Sequence, residues 1–181
     1  MIKRIIIKAA RLLAAPLRWR KQRRYADDRA GSNTWEVAND KLLGLVRQTM
    51  AETGETATIN VKGYSMRPFL EHLRDRVVLN PVEPGEIRLH DVVLAEIYKG
   101  VYVLHRVIAI NGDDLTLMGD GNIRGTEHCQ RKDVCGVAIK LLRPNGHYID
   151  TSDANYQRRV RHWLRLLPVR RWLLFFYKLT I

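Results

Sequence analysis

Between Thr56 and Leu142 the chain runs as short apolar segments cut by turn residues, and few folds can be built from that pattern. Thr56-Ala57-Thr58-Ile59-Asn60-Val61-Lys62 alternates polar and apolar residues, the two-residue period of a half-buried strand. Segments 76–80, 91–98, 101–110, 115–118 and 134–142 read as further strands, the last of these closing the set. Pro81, Pro84 and Gly85 mark turns, Lys99-Gly100 marks a hairpin, and Asn111-Gly112 between two apolar runs is the strongest short hairpin signal in the chain. Strands do not alternate with helical patterns, so the expected class is mostly β, a twisted antiparallel body. Helical spacing precedes it. Val37, Leu42, Leu43, Leu45, Val46 and Met50 predict an amphipathic helix over about 35–52, capped by Asn33 or Thr34 and ended by Gly54.

Charge divides the chain in the same places. The 181 residues carry a net charge of +12. Residues 1–30 hold ten Lys and Arg against Asp27 and Asp28, and residues 156–181 hold seven and no acid. Residues 31–155 hold fourteen bases against seventeen acids. The organisation expected is a basic amphipathic tail (1–30), a core domain (31–150) and a basic amphipathic C-terminal segment (151–181), with 25–34 as a polar linker. A nucleic-acid domain carries its positive charge on the folded body; this body is slightly acidic, which disfavours nucleic acid as a partner. The tails instead mix Arg and Lys with Ile, Leu, Trp and Phe, the composition of helices that lie on an anionic membrane, packing on the domain or on a partner chain being the alternative. No stretch approaches the roughly 20 apolar residues that span a bilayer, and Lys8 and Arg11 interrupt the apolar run a secretory signal needs. The expected location is therefore peripheral on a membrane, with the cytoplasmic face as the default. Nothing in the pattern sets an oligomeric state.

Three segments carry reactive groups: Val61-Lys62-Gly63-Tyr64-Ser65-Met66-Arg67-Pro68, Val103-Leu104-His105-Arg106-Val107-Ile108, and Gly119-Asp120-Gly121-Asn122. Ser65 follows a strand and lies two residues after a glycine that permits unusual backbone angles. A serine hydroxyl needs a base within hydrogen-bond reach to become a nucleophile, and His105, on an apolar strand, is of the right type. Asp120 is the expected acid that orients the imidazole and stabilises its protonated form.

The order Gly-x-Ser-Met-x-Pro, His-Arg-Val, Gly-Asp-x-Asn resembles the signal peptidase I / LexA-type serine peptidases over roughly residues 56–140. The resemblance implies a twisted, mostly β body with the serine at the start of a short turn, and hydrolysis of peptide bonds after small residues. It implies that His105 stands where bacterial members carry a lysine base, as in the signal peptidases of the endoplasmic reticulum. Asp120 matches the acid of the Gly-Asp-x-Asn box, and Glu127 is the nearest candidate for a second acid, ranked below Asp120. Gly63 offers no hydroxyl for an oxyanion, so backbone N–H groups are the expected donors, that of Ser65 first. Tyr64 and Met66 are expected to line the substrate groove, and the peptide substrate to pair along an exposed edge near 57–62. LexA-type relatives cut themselves at an Ala-Gly bond, and Ala30-Gly31 offers one in the linker. A catalytically silent peptide-binding module is the remaining alternative. The chemistry requires no cofactor, and Cys129 and Cys135 match no common zinc spacing. Asp75 and Arg76 read as an ordinary surface pair.

Overall fold

The structure, a computed structural model, describes residues 39–179. The tail 1–30, the linker, the Ala30-Gly31 bond and the proposed caps Asn33 and Thr34 lie outside the described residues. Helix α1 (Asn39–Thr53) occupies the expected amphipathic stretch. Gly54 ends it with a φ of 69°, its N–H bonded to the Met50 carbonyl at 3.0 Å, the left-handed cap that glycine adopts without penalty.

Eight strands follow: β1 (Ala57–Asn60), β2 (Arg76–Asn80), β3 (Val92–Tyr98), β4 (Val101–Asn111), β5 (Asp114–Met118), β6 (Glu127–Gln130), β7 (Val134–Leu142) and β8 (Tyr148–Asp150). They form one open antiparallel sheet in the order β1-β2-β7-β3-β4-β5-β6, with β8 added on β7. The Asn111-Gly112 signal becomes the β4–β5 turn, with Asn111 opposite Asp114 and Gly112 at a φ of 59°. Strands β6 and β8 were not expected, and 134–142 is not the last strand. Glu127-His128-Cys129-Gln130 and the three residues of β8 carry no apolar alternation; both form by pairing with a longer neighbour.

The alternation of β3 separates two apolar layers. Val92 and Leu94 enter one with Val77, Leu79, Ala138 and Leu141, while Val93 and Ala95 enter the other with Val107, Leu115 and Leu117. Helix α1 covers the first layer through Leu43 and Met50. Met50 lies so close to β7 that a Cβ at Gly136 would stand 2.6 Å from its Cε.

The C-terminal segment does not hang free as a tail. Helix α2 (Ala154–Arg165) and helix α3 (Arg170–Lys178), joined by a 3-10 turn over Leu167–Val169, close the same first layer with Tyr156, Val160, Trp163, Leu173 and Leu174. Asp153 caps α2, accepting the Tyr156 N–H at 2.9 Å. The boundary drawn at 150 on charge is thus no boundary in packing. No helix among the described residues is long and apolar enough to cross a membrane.

Candidate active site

The chain leaves β1 through buried Val61 and reaches Gly63, whose φ of 92° suits a residue without Cβ. The Gly63 N–H donates to Nδ1 of His72 at 2.8 Å. A short turn then carries Ser65, closed by Arg67 N–H to the Tyr64 carbonyl at 3.3 Å and Leu70 N–H to the Met66 carbonyl at 3.0 Å. This turn sits on the Gly119–Asn122 bend: Gly121 N–H donates to the Ser65 carbonyl at 2.6 Å. A Cβ at Gly119 would stand 2.5 Å from that carbonyl oxygen, and one at Gly121 2.8 Å from the Tyr64 oxygen. The two glycines of the box are the seat of the serine turn, needed for the side chains they lack.

The loop behind the serine is pinned by Asp75, which is fully buried. Asp75 accepts from the Glu71 N–H at 2.8 Å and pairs with Arg74 and Arg143. Arg143 also reaches the Phe69 carbonyl at 2.9 Å from its place after β7. The expected Asp75–Arg76 surface pair is therefore corrected: Arg76 lies exposed on β2 while Asp75 is the buried anchor.

Ser65 Oγ lies 3.0 Å from Nε2 of His105, and Nδ1 of His105 lies 2.8 Å from Oε2 of Glu127. An ionised carboxylate only accepts, so Nδ1 carries the imidazole proton and Nε2 is free to accept from the serine hydroxyl. His105 is buried, and the Glu127 side chain keeps 27% of its surface. The acid at His105 is thus Glu127, not Asp120, which corrects the expected ranking.

Strand alternation supplies the reason. Residues opposite one another in a sheet share a face, as do residues two apart. Val107 faces Leu117, and Leu117 faces Glu127, so His105, two residues from Val107, shares their face. Arg106 faces Met118, and Asp120, two residues further on, continues on that other face. There both Asp120 oxygens take the Arg106 guanidinium, at 2.8 and 2.6 Å. Tyr156 Oη stands 3.2 Å from the same guanidinium, and Trp163 donates to the Asp120 carbonyl at 2.7 Å. Burial alone would lower the pKa of Arg106, but the Asp120 carboxylate and Tyr156 raise it above its ordinary value. From α3, buried Arg170 reaches the Asn122 carbonyl at 2.9 Å. The C-terminal helices thus brace the bend on which the serine turn rests.

A groove with about 160 Å³ of accessible space opens at Ser65 and His105. The Ile59–Gly63 stretch and Tyr102–His105 wall it, Met66 lines it, and Leu43 of α1 closes one end. Tyr64 is not part of the lining; its ring lies under the Arg67 guanidinium at 4.2 Å and against His72 at 5.0 Å. Among the described residues, strand β5 pairs with β4 only from Arg106 onward, and β1 has a strand partner on one side only. Two stretches of free strand edge therefore border the groove. Among the described residues no acceptor takes the Ser65 N–H, which leaves it available to an oxyanion, whereas the Gly63 N–H is held by His72.

Cys129 and Cys135 are buried in different apolar layers, and burial pushes both thiols up to about 11. They stand apart from this chemistry. No family model matches the chain, and no curated protein matches it.

Proposed function

We propose that the protein is a serine endopeptidase, with a body of the signal-peptidase/LexA type. The observation that carries this reading is the unbroken line Ser65 Oγ, His105 Nε2, His105 Nδ1, Glu127 Oε2 at the mouth of a groove bordered by free strand edges. In the reading, His105 takes the Ser65 proton as Oγ attacks the scissile carbonyl. Glu127 holds the imidazole tautomer and offsets the charge of the imidazolium. The Ser65 N–H receives the developing oxyanion. His105 then returns the proton to the leaving amine, and water repeats the sequence to release the acyl group.

The substrate enters extended and pairs with the strand edges. Met66, Leu104, Ile59 and Val61 crowd the groove, which favours small side chains just before the cleaved bond. The test compares full-length wild type with Ser65→Ala on a library of small-residue peptides, read by intact mass. Cleavage by wild type alone, with a fluorophosphonate adding to Ser65, is the expected result. Cleavage that persists in Ser65→Ala overturns the assignment. Appearance of a 1–30 fragment would mark the chain as its own substrate.

A further inference from the structure

Helix α3 carries apolar residues on its outer side as well as on its inner one. Leu173 and Leu174 point into the core with Arg170 and Tyr177, while Trp172, Phe175, Phe176 and Leu179 are exposed, Trp172 to 63% and Leu179 to 70%. A contiguous exposed apolar patch rimmed by polar residues marks a site of protein or membrane contact. Arg171 and Lys178 flank the exposed stripe, and Leu167 and Val169 of the preceding turn extend it. The outer face of α2 is cationic instead, with Arg158, Arg161 and Arg165 in solvent.

Charge chooses among the occupants. Residues 156–181 carry seven Lys and Arg and no acid, and residues 1–30 carry ten against two acids. A second copy of this face, or the chain's own N-terminal tail, would bring like charge onto like charge. An anionic bilayer offers the complementary charge, together with an apolar layer for the aromatic stripe. We propose that the outer faces of α2 and α3 form a docking surface for an anionic lipid bilayer, the α3 stripe entering the acyl boundary and the α2 arginines meeting head groups.

The inner face of α3 links this surface to the serine turn. Tyr177 donates to Glu71 at 2.7 Å, Glu71 holds Arg67 at 2.8 Å, and Arg67 lies over Tyr64 next to Ser65. The inference does not depend on peptidase activity.

The full chain is tested by sedimentation with vesicles of equal parts phosphatidylcholine and phosphatidylglycerol, against phosphatidylcholine alone. Binding only to the anionic vesicles is expected, and Trp172→Ser/Phe175→Ser/Leu179→Ser should weaken it on the order of a hundredfold. All three residues are exposed, so the thermal midpoint should hold. A second variant, Phe175→Cys labelled with an environment-sensitive fluorophore, reports the face directly, since Cys129 and Cys135 are buried. A blue shift with anionic vesicles is expected. Vesicle binding without that shift overturns the proposal and moves lipid contact to another part of the chain. A shift without vesicles that grows with protein concentration also overturns it, giving the face to a second copy.

Discussion

His105 and Arg106 are neighbours on β4, both buried, and each meets one carboxylate; they do different work because they face opposite sides of the sheet. Arg106 and Asp120 are 0% and 1% exposed at their side chains, bidentate, and held by Tyr156 as well. That pair is a permanent strut. His105 meets a carboxylate that still touches solvent, and its other nitrogen faces a hydroxyl at the groove. That line ends at solvent on one side and at the groove on the other. A single residue step along a strand thus separates an ion pair sealed in the core from one that opens on the groove.

Under the proposed peptidase function, the largest expected effect falls on the His105 side. His105→Ala should lower kcat/KM by about a millionfold, the scale seen when a serine hydrolase loses its base, while the urea midpoint of unfolding holds. Glu127→Gln keeps the shape and loses the charge; a loss of about ten-thousandfold is expected, again with the fold intact. Asp120→Ala should reverse the pattern. It leaves Arg106 charged and without its carboxylate in the core, which costs about 3–5 kcal/mol, and activity falls only as folded protein is lost. Urea titration and single-turnover rates on the same samples separate the cases. Should Asp120→Asn lose activity at unchanged stability while Glu127→Gln does not, the two roles are exchanged.

The comparison also explains what was legible in the sequence. Ser65 and His105 could be named because each sits in a short pattern whose spacing is local. The mostly antiparallel sheet was legible because period-two alternation and turn residues are local signals too. Choosing between Asp120 and Glu127 needs the register of β4, β5 and β6, and β6 has no apolar alternation to announce it. The Asp75 anchor escapes a sequence reading for a related reason: its partner Arg143 lies 68 positions away. The basic C-terminal segment resembles a tail in sequence because charge marks its outer face, while Val160, Trp163 and Leu174 on the inner face decide where it packs.

Gly119 tests whether the strut side reaches the reactive side. The Gly119–Asn122 bend carries Asp120 on one face and the Ser65 turn on the other. Gly119→Ala places a methyl within 2.5 Å of the Ser65 carbonyl and 3.0 Å of its Cβ, so the serine turn must shift. A displacement near 1 Å from attack geometry costs roughly a hundredfold in rate. The expected loss lies mainly in kcat, and fluorophosphonate labelling of Ser65 should slow by a similar factor. An unchanged labelling rate would mean the turn is seated by the Asp75 anchor alone.

The smallest effect should come from His72, which touches neither carboxylate nor hydroxyl. Its Nδ1 accepts from Gly63 N–H at 2.8 Å, two residues before Ser65. Gly63 is exposed, so water can replace a lost acceptor, and a single hydrogen bond of this kind contributes about 1 kcal/mol. His72→Ala should therefore reduce kcat/KM by roughly fivefold. His72→Asn can present Oδ1 close to where Nδ1 stands and should restore most of the rate, whereas His72→Leu, of similar bulk and without an acceptor, should not. If Asn and Leu behave alike, packing against Tyr64 rather than the Gly63 hydrogen bond holds the turn.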